Sequence, residues 1–184
     1  REEEFFSIPL DIKNKPSLEE ALDSWVKSDK LEGDNAYYCE QYGRKVNALK
    51  RCCIKQLSNT LIFHLKRFDY DYINNRKVKL NDYFQFPLSL NMKHWTKEGL
   101  ARHEGSVSEE MSVDDAHYQY HLVGVLVHTG SADSGHYYSF IKVRDTHRWL
   151  CFNDHRVYEF SPDHVPEECF GGEELLHSFL ISIY

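Results

Sequence analysis

The sequence has no long hydrophobic run. No stretch reaches the roughly 18 consecutive apolar residues that a membrane-spanning helix needs, and none has the pattern of a secretory signal. Positive charge is also in deficit, because 22 Lys and Arg stand against 29 Asp and Glu, a formal net charge of −7. We therefore expect neither a membrane nor a nucleic acid as a main partner.

Cysteine is too scarce and too irregularly placed for a disulfide framework. The chain has 5 cysteines, an odd number, and their spacing fits no disulfide pattern. A reducing compartment is therefore expected, the cytoplasm first and the nucleus second. What the chain does have is 41% hydrophobic and 14% aromatic residues over 184 positions, enough for one globular domain rich in strands.

The most informative stretch runs from His121 to Asp154. An apolar run at 122–127 predicts a buried strand, and the small, turn-forming residues at 129–135 predict a loop. An aromatic and apolar segment at 137–141 predicts a second strand. After a polar turn, a third strand is predicted at 149–152. Three adjacent antiparallel strands are the expected result.

Polar side chains stand at the ends of two of these strands. His136 begins the second strand, and Asn153 and Asp154 end the third. The separation, 153 − 136 = 17 residues, fits a strand, a turn and a strand, which would bring the side chains back together. A histidine oriented by an amide or a carboxylate is the general-base part of a nucleophilic catalytic site. From the residues alone, a structural histidine beside a strand is the competing interpretation.

The first part of the chain carries clear local signals. Apolar residues alternate over Phe6–Ile12, which predicts a strand. Ser17 then precedes a predicted helix over Leu18–Val26, with Glu20 at the capping-box position.

Two further strands are predicted at 45–57 and 57–68. The first contains the adjacent pair Cys52 and Cys53. In the second, we expect His64 to be a packed core residue, and a solvated pair is one interpretation of Lys66–Arg67.

Six segments in order resemble the ubiquitin-specific proteases, which are papain-like cysteine peptidases that remove ubiquitin. The sequence SGHYYSF at 134–140 resembles the family's histidine box, and WLCFND at 149–154 resembles its final acid box. The other matching segments are 31–39, 62–70, 81–87 and 169–173. The set is most similar to the fat facets (FAF-type) subgroup.

The resemblance implies an α+β fold with mostly antiparallel β structure, a partial papain-like fold of the ubiquitin-specific protease type. The fingers and palm would be present and the thumb missing. We expect residues 1–57 to form the fingers region, and 58–96 with 118–184 to form the palm. Residues 97–117 are polar and acidic, so we expect a flexible insertion there.

The resemblance also implies roles for individual residues. His136 would be the base, Asn153 would orient it, and Asp154 is the second candidate for that orienting role. A second group would bind the C-terminal tail of ubiquitin. Its members are Phe68, Tyr70, His128, Gly135 and Tyr137.

No cofactor and no metal are expected. The family's fingers often hold zinc on two Cys-x-x-C pairs, but here Tyr42 stands where the partner of Cys39 should be. Zinc needs four ligands, so Cys39 is interpreted as a relic of such a site.

No cysteine stands in the family's nucleophile context, a turn that opens a helix. The first interpretation is therefore the C-terminal part of a deubiquitinating cysteine protease that cleaves isopeptide or peptide bonds after the last glycine of ubiquitin. This chain alone would be inactive. The alternative is an inactive ubiquitin-binding fragment or pseudoenzyme, and the third interpretation is an unrelated β-rich scaffold. Ubiquitin and ubiquitinated proteins are the expected partners.

Overall fold

The computed structural model describes residues 2–103, 105, 115–172 and 177–184, with the side chains of 177 and 178 left out. Within these ranges the helices are α1 (Leu18–Val26), α2 (Lys97–His103) and α3 (Val165–Cys169). None of the helices in the described ranges is long and apolar enough to cross a membrane. The strands, in chain order, are β1 (Ile8–Leu10), β2 (Asp29–Leu31), β3 (Tyr37–Cys39), β4 (Arg44–Val46), β5 (Ala48–Lys50), β6 (Ile62–Leu65), β7 (Phe68–Asp71), β8 (Arg76–Lys79), β9 (Ser89–Asn91), β10 (Gln119–His121), β11 (Gly124–Gly130), β12 (Gly135–Lys142), β13 (Trp149–Asn153), β14 (Arg156–Phe160) and β15 (His177–Ile183).

One seven-stranded sheet organises the molecule, in the order β1-β6-β15-β11-β12-β13-β14. Its neighbouring strands are antiparallel, except that β1 lies parallel to β6 with Ile8 opposite Phe63. The expected mostly antiparallel α+β architecture is therefore confirmed. The three strands predicted from the central stretch are β11, β12 and β13, and they are consecutive in the sheet.

The C-terminal segment supplies the centre of this sheet. β15 lies between β6 and β11, and Phe179 and Ser182 on it are fully buried. Fully buried neighbours such as Phe63 and Phe84 complete the core around it. A strand with neighbours on both sides satisfies its backbone groups in the sheet ladders, so it can be buried throughout its length.

Helix α1 forms where its local signals predict it. Ser17 adopts an extended conformation, and its hydroxyl oxygen accepts a hydrogen bond of 3.2 Å from the backbone N–H of Glu20. This bond satisfies one of the donors that a helix leaves unpaired at its start. Leu18 and Leu22 point into the core and fasten the helix to the sheet.

Two small ribbons form the part of the chain that the sequence assigns to the fingers. β2 pairs with β5, and β3 pairs with β4 across a short 3-10 turn that ends at Gly43, whose φ is 60°. The prediction of one long strand at 45–57 is wrong, because the strand is interrupted at Asn47 and ends at Lys50. Cys52 and Cys53 therefore lie outside any strand.

The strand predicted at 57–68 is also too long, because β6 includes only Ile62–Leu65. The alternation along β6 points His64 to solvent, so the expectation of a core histidine is wrong. Arg67 is the opposite case. The interpretation as a solvated residue is wrong for Arg67, because its side chain is fully buried.

Three elements, β1, α1 and α2, lie in segments whose expected boundaries stay predictions. β1 and α1 pack with the large sheet, although residues 1–57 were assigned as a whole to the fingers. Lys97–His103 was assigned to the flexible insertion, but it forms helix α2 with Leu100 buried. The helix is stabilised by the contact of Leu100 with the core, which its mostly polar composition does not reveal. The remainder of the insertion, 104 and 106–114, lies outside the described residues.

Candidate active site

The site is built on the hairpin that joins β11 to β12. Gly130 pairs with Gly135, which shortens the predicted loop at 129–135 to four residues. Ser131 closes the loop, because its backbone N–H donates to the carbonyl of Ser134 at 2.8 Å. The hydroxyl oxygen of Ser131 also accepts from the N–H of Ser134 at 3.2 Å. His136 is the second residue of β12, immediately beyond this turn.

The structure brings His136 and Asn153 together. His136 shares a face of β12 with Tyr138, and Asn153 shares the adjoining face of β13 with Cys151, which lies opposite Phe140. The two side chains are therefore diagonal neighbours across a strand pair. Nε2 of His136 lies 2.7 Å from Oδ1 of Asn153, a hydrogen-bond distance. The predicted approach of the two side chains is confirmed.

Asp154 lies farther from the histidine. Its Oδ2 is 3.9 Å from Nε2 of His136, and its side chain is 71% exposed against 42% for the histidine. Asp154 occupies the turn into β14 with φ of 51°, the left-handed conformation that Asn and Asp tolerate better than most residues. The geometry therefore favours Asn153 as the group that orients the ring.

The hydrogen bond to Asn153 defines what the ring can do. An amide oxygen only accepts, so the nitrogen facing it carries the proton. Nδ1 of His136 is then the nitrogen with a lone pair, and it can take a proton from a nucleophile. This is the arrangement that a general base requires.

A second cluster lies on the opposite face of the same hairpin. His128 pairs with Tyr137 across the strands, and their rings lie 4.7 Å apart. Phe68 meets the other side of His128 edge-on, with ring centroids 5.3 Å apart. Because side chains alternate along β12, Tyr137 and its neighbour His136 point to opposite faces. The structure thus separates the predicted tail-binding rings from the predicted catalytic pair.

Gly135 is the contact point beneath His128. A Cβ at this position would lie 2.1 Å from Nε2 of His128 and 2.3 Å from the carbonyl oxygen of Thr129. Only glycine fits here without displacing these two atoms. His128 is 4% exposed, and Nδ1 of its ring has no hydrogen-bond partner among the described residues.

Tyr70 is not part of this cluster. Its hydroxyl group donates to Oδ1 of Asn75 at 2.6 Å, and its ring meets Tyr72 at 5.1 Å. Both contacts lie within the β7–β8 hairpin. Of the five residues predicted to bind the tail, four therefore form one group and Tyr70 stands apart.

Comparison with known proteins places this geometry in a family. The family description "Ubiquitin carboxyl-terminal hydrolase" matches residues 12–176. The chain belongs to the ubiquitin carboxyl-terminal hydrolase family. It is 42% identical over 191 residues to Ubiquitin carboxyl-terminal hydrolase 9X of Mus musculus, covering 94% of this chain and 8% of the relative. It is 40% identical over 185 residues to Probable ubiquitin carboxyl-terminal hydrolase FAF of Drosophila melanogaster, covering 94% of this chain and 7% of the relative.

Solved structures agree with this family assignment. The fold is similar to that of the SAGA Ubp8/Sgf11/Sus1/Sgf73 DUB module bound to ubiquitin aldehyde, with a TM-score of 0.72 and 30% identity. The match covers 98% of this chain and 35% of the solved chain. A structure of the yeast SAGA module matches with a TM-score of 0.70, 30% identity and the same coverage. The chain therefore spans about a third of these solved hydrolase chains and less than a tenth of the two curated relatives.

Two of the five cysteines do not resemble activated thiols. Cys151 and Cys169 are fully buried, and burial raises the pKa of both. A raised pKa leaves little of the thiolate that attacks a carbonyl. Cys39 ends β3, while Cys52 and Cys53 follow β5 outside any helix.

The finger residues do not fit a zinc ion. Cys39 lies opposite Arg44 across β3 and β4, and the ring of Tyr42 is exposed at the turn. In the part of the chain that the structure describes, no three His, Cys, Asp or Glu side chains group as metal ligands.

Two basic residues make contacts that the sequence analysis did not predict. Lys79 donates to the carbonyl oxygens of His128 at 2.9 Å and of Gly130 at 3.1 Å. Arg67 donates to the carbonyls of Phe179 and Leu80, each at 2.8 Å. Both bind main-chain atoms distant in sequence, so no local pattern could have predicted these contacts.

Proposed function

We propose that the protein containing this chain is a deubiquitinating cysteine peptidase. It would hydrolyse isopeptide and peptide bonds after the C-terminal glycine of ubiquitin. This chain would supply His136 as the base and Asn153 as the residue that orients it. The single observation that supports this most strongly is the 2.7 Å contact between Nε2 and Oδ1, which leaves Nδ1 available.

The reaction would follow the thiol-peptidase sequence. Nδ1 of His136 takes the proton of a cysteine thiol, and the thiolate attacks the carbonyl carbon of the terminal glycine. The carbon–nitrogen bond of the tetrahedral intermediate breaks as His136 donates this proton to the leaving amine, and the glycine carbonyl remains bound to the cysteine as a thioester. Water, activated by the same nitrogen, then hydrolyses the thioester and releases the ubiquitin carboxylate. In this proposal the thiol is not one of the five cysteines of this chain, since two are buried and none opens an α-helix.

Substrate binding would use the second cluster. Phe68, His128 and Tyr137 would contact the C-terminal tail of ubiquitin, with Gly135 supporting the ring of His128. The exposed rings of Phe68 and Tyr137 can offer apolar surface to an extended peptide. Support for this partner comes from the solved SAGA module, which is described as bound to ubiquitin aldehyde. We further propose a cytoplasmic or nuclear location, for which the unpaired cysteines are the support.

A second candidate function is ubiquitin binding without cleavage. It is favoured by one observation, the burial and raised pKa of Cys151 and Cys169. If no activated cysteine accompanies His136 in the whole protein, the rings of the second cluster would still form a binding surface. The two candidates differ in turnover and not in the expected partner.

The test is cleavage of a lysine-linked ubiquitin–peptide conjugate by the whole protein and by this chain alone. We expect the whole protein to release ubiquitin ending in its intact glycine together with the unmodified lysine peptide. Prior alkylation of thiols should abolish this cleavage, and this chain alone should show none. Binding without cleavage by the whole protein would favour the second candidate. Cleavage that survives alkylation would refute the cysteine mechanism.

A further inference from the structure

Among the residues that the structure describes, the end of β11 extends past the strand beside it. Ser131 bonds to Ser134 across the hairpin, so by the alternation of an antiparallel ladder the main-chain groups of His128 and Gly130 point away from β12 and toward β15. The pairing of β11 with β15 ends at Thr129 opposite His177. Gly130 therefore lies beyond the last cross-strand pair of the described ranges on that side.

The ammonium group of Lys79 lies beside the end of β11. It bonds to the carbonyl oxygens of His128 and Gly130, which are two residues apart and point the same way. Hydrogen bonds from a charged donor are roughly twice as strong as neutral ones. Burial and the charge of Arg67 lower the pKa of Lys79 to about 8, consistent with an amine partly withdrawn from water.

The backbone next to Lys79 is held in place by hydrogen bonds with Arg67. The residue after it, Leu80, donates its N–H to the carbonyl of Arg67 at 2.7 Å. The guanidinium of Arg67 binds the carbonyls of Leu80 and Asp82, and its Nε binds the carbonyl of Phe179 on β15. The chain leaving β8 is thus fixed to the centre of the sheet. An ammonium group on this support can hold the end of β11 in place.

The residues that Lys79 holds lead directly to the catalytic pair. Gly130 has φ of 107°, and a Cβ there would lie 2.6 Å from the carbonyl oxygen of Ser134. It pairs with Gly135, and the next residue is His136. Because this contact is close, a displacement of Gly130 would also displace the first residues of β12. Errors of about 1 Å in the placement of catalytic groups can cost about a hundredfold in rate.

We propose that Lys79 is a positioning residue that fixes the β11–β12 hairpin and thereby the placement of His136. This inference rests on the proposed function insofar as it concerns catalysis. The contact itself does not depend on that function. In this proposal Lys79 acts on His136 through the main-chain oxygens of His128 and Gly130.

The experiment compares three variants of the whole protein. Lys79→Met removes the charge and the donors at similar length, Lys79→Arg keeps both, and Lys77→Met is the matched control on the exposed part of β8. Turnover of a fluorogenic substrate on the C-terminus of ubiquitin gives kcat and KM. Hydrogen–deuterium exchange of the peptide spanning 128–136 reports the hairpin without needing activity.

We expect Lys79→Met to lower kcat about 10- to 100-fold with KM changed less than about threefold. Exchange over 128–136 should become faster, while β6 and β15 keep their protection. Lys79→Arg should restore most of kcat, and Lys77→Met should behave as wild type. An unchanged kcat in Lys79→Met, no rescue by arginine, unchanged exchange over 128–136, or faster exchange across the whole sheet would each overturn the proposal. If the wild-type protein has no turnover, the proposed function fails, and the exchange comparison alone decides whether Lys79 fixes the hairpin.

Discussion

Replacing Gly135 with alanine tests whether the close packing of the hairpin supports the site. The added Cβ would lie 2.1 Å from Nε2 of His128 and 2.3 Å from the carbonyl oxygen of Thr129. Ordinary contacts of this kind begin at 3.4 Å, so both neighbours would have to retreat by about 1 Å. The carbonyl belongs to the residue paired with His136 and cannot rotate away as a side chain can.

The expected cost of Gly135→Ala follows from this overpacking. Forcing a group into a filled site costs about 1–3 kcal/mol. For a domain of this size, each kcal/mol lowers the unfolding midpoint by about 2–4 °C. We therefore expect thermal unfolding to occur about 2–12 °C lower. Turnover of the ubiquitin substrate by the whole protein should fall about a hundredfold, since the displaced residue precedes the base.

Gly124→Ala is the matched control on β11. A Cβ there would have its nearest neighbour, Cδ1 of Ile183, at 3.5 Å, which is an ordinary contact. We expect this variant to stay within about 0.5 kcal/mol of wild type. If Gly135→Ala proves as stable and active as Gly124→Ala, the packing of His128 on residue 135 does not support the site.

Further predictions concern the orienting residue, the thiols and a helix cap. In the whole protein, Asn153→Ala should lower kcat about a hundredfold and Asp154→Ala less than about tenfold. The reason is that only the amide of Asn153 is within hydrogen-bond distance of His136. A larger loss for Asp154→Ala would assign the orienting role to Asp154. Alkylation of this chain in its native state, followed by mass spectrometry, should label the other three thiols and leave Cys151 and Cys169 unmodified until the chain unfolds; equal labelling of all five would contradict their burial. Ser17→Ala should cost about 1 kcal/mol in thermal unfolding, and Ser17→Thr much less, because threonine keeps the cap; equal losses would show that the cap contributes nothing.

The features predicted best from the sequence depend on residues close together in the chain. The cap at Ser17 involves a residue three positions away, and its helix has the predicted bounds. The approach of His136 to Asn153 required one strand, one turn and one strand of the expected lengths. Local turn chemistry and alternation contain enough information for such features.

The features missed depend on contacts between distant segments. The strand predicted over 57–68 is shorter because its pairing partners, β1 and β15, extend only along Ile62–Leu65. Arg67 is buried because main-chain carbonyls from two other segments converge on it, one of them 112 residues away. Lys79 meets carbonyls 49 and 51 residues away. A single sequence shows a charged residue and not the acceptors that allow its burial.

The most direct measurement of the central claim is the turnover of the ubiquitin substrate by the whole protein carrying His136→Ala. Removal of the base should lower kcat about 1,000-fold or more, because the thiol then has no group to take its proton. His155→Ala, an exposed histidine in the adjacent turn, is the matched control and should keep wild-type turnover. A His136→Ala protein within about tenfold of wild type would show that His136 is not the base and would contradict the account.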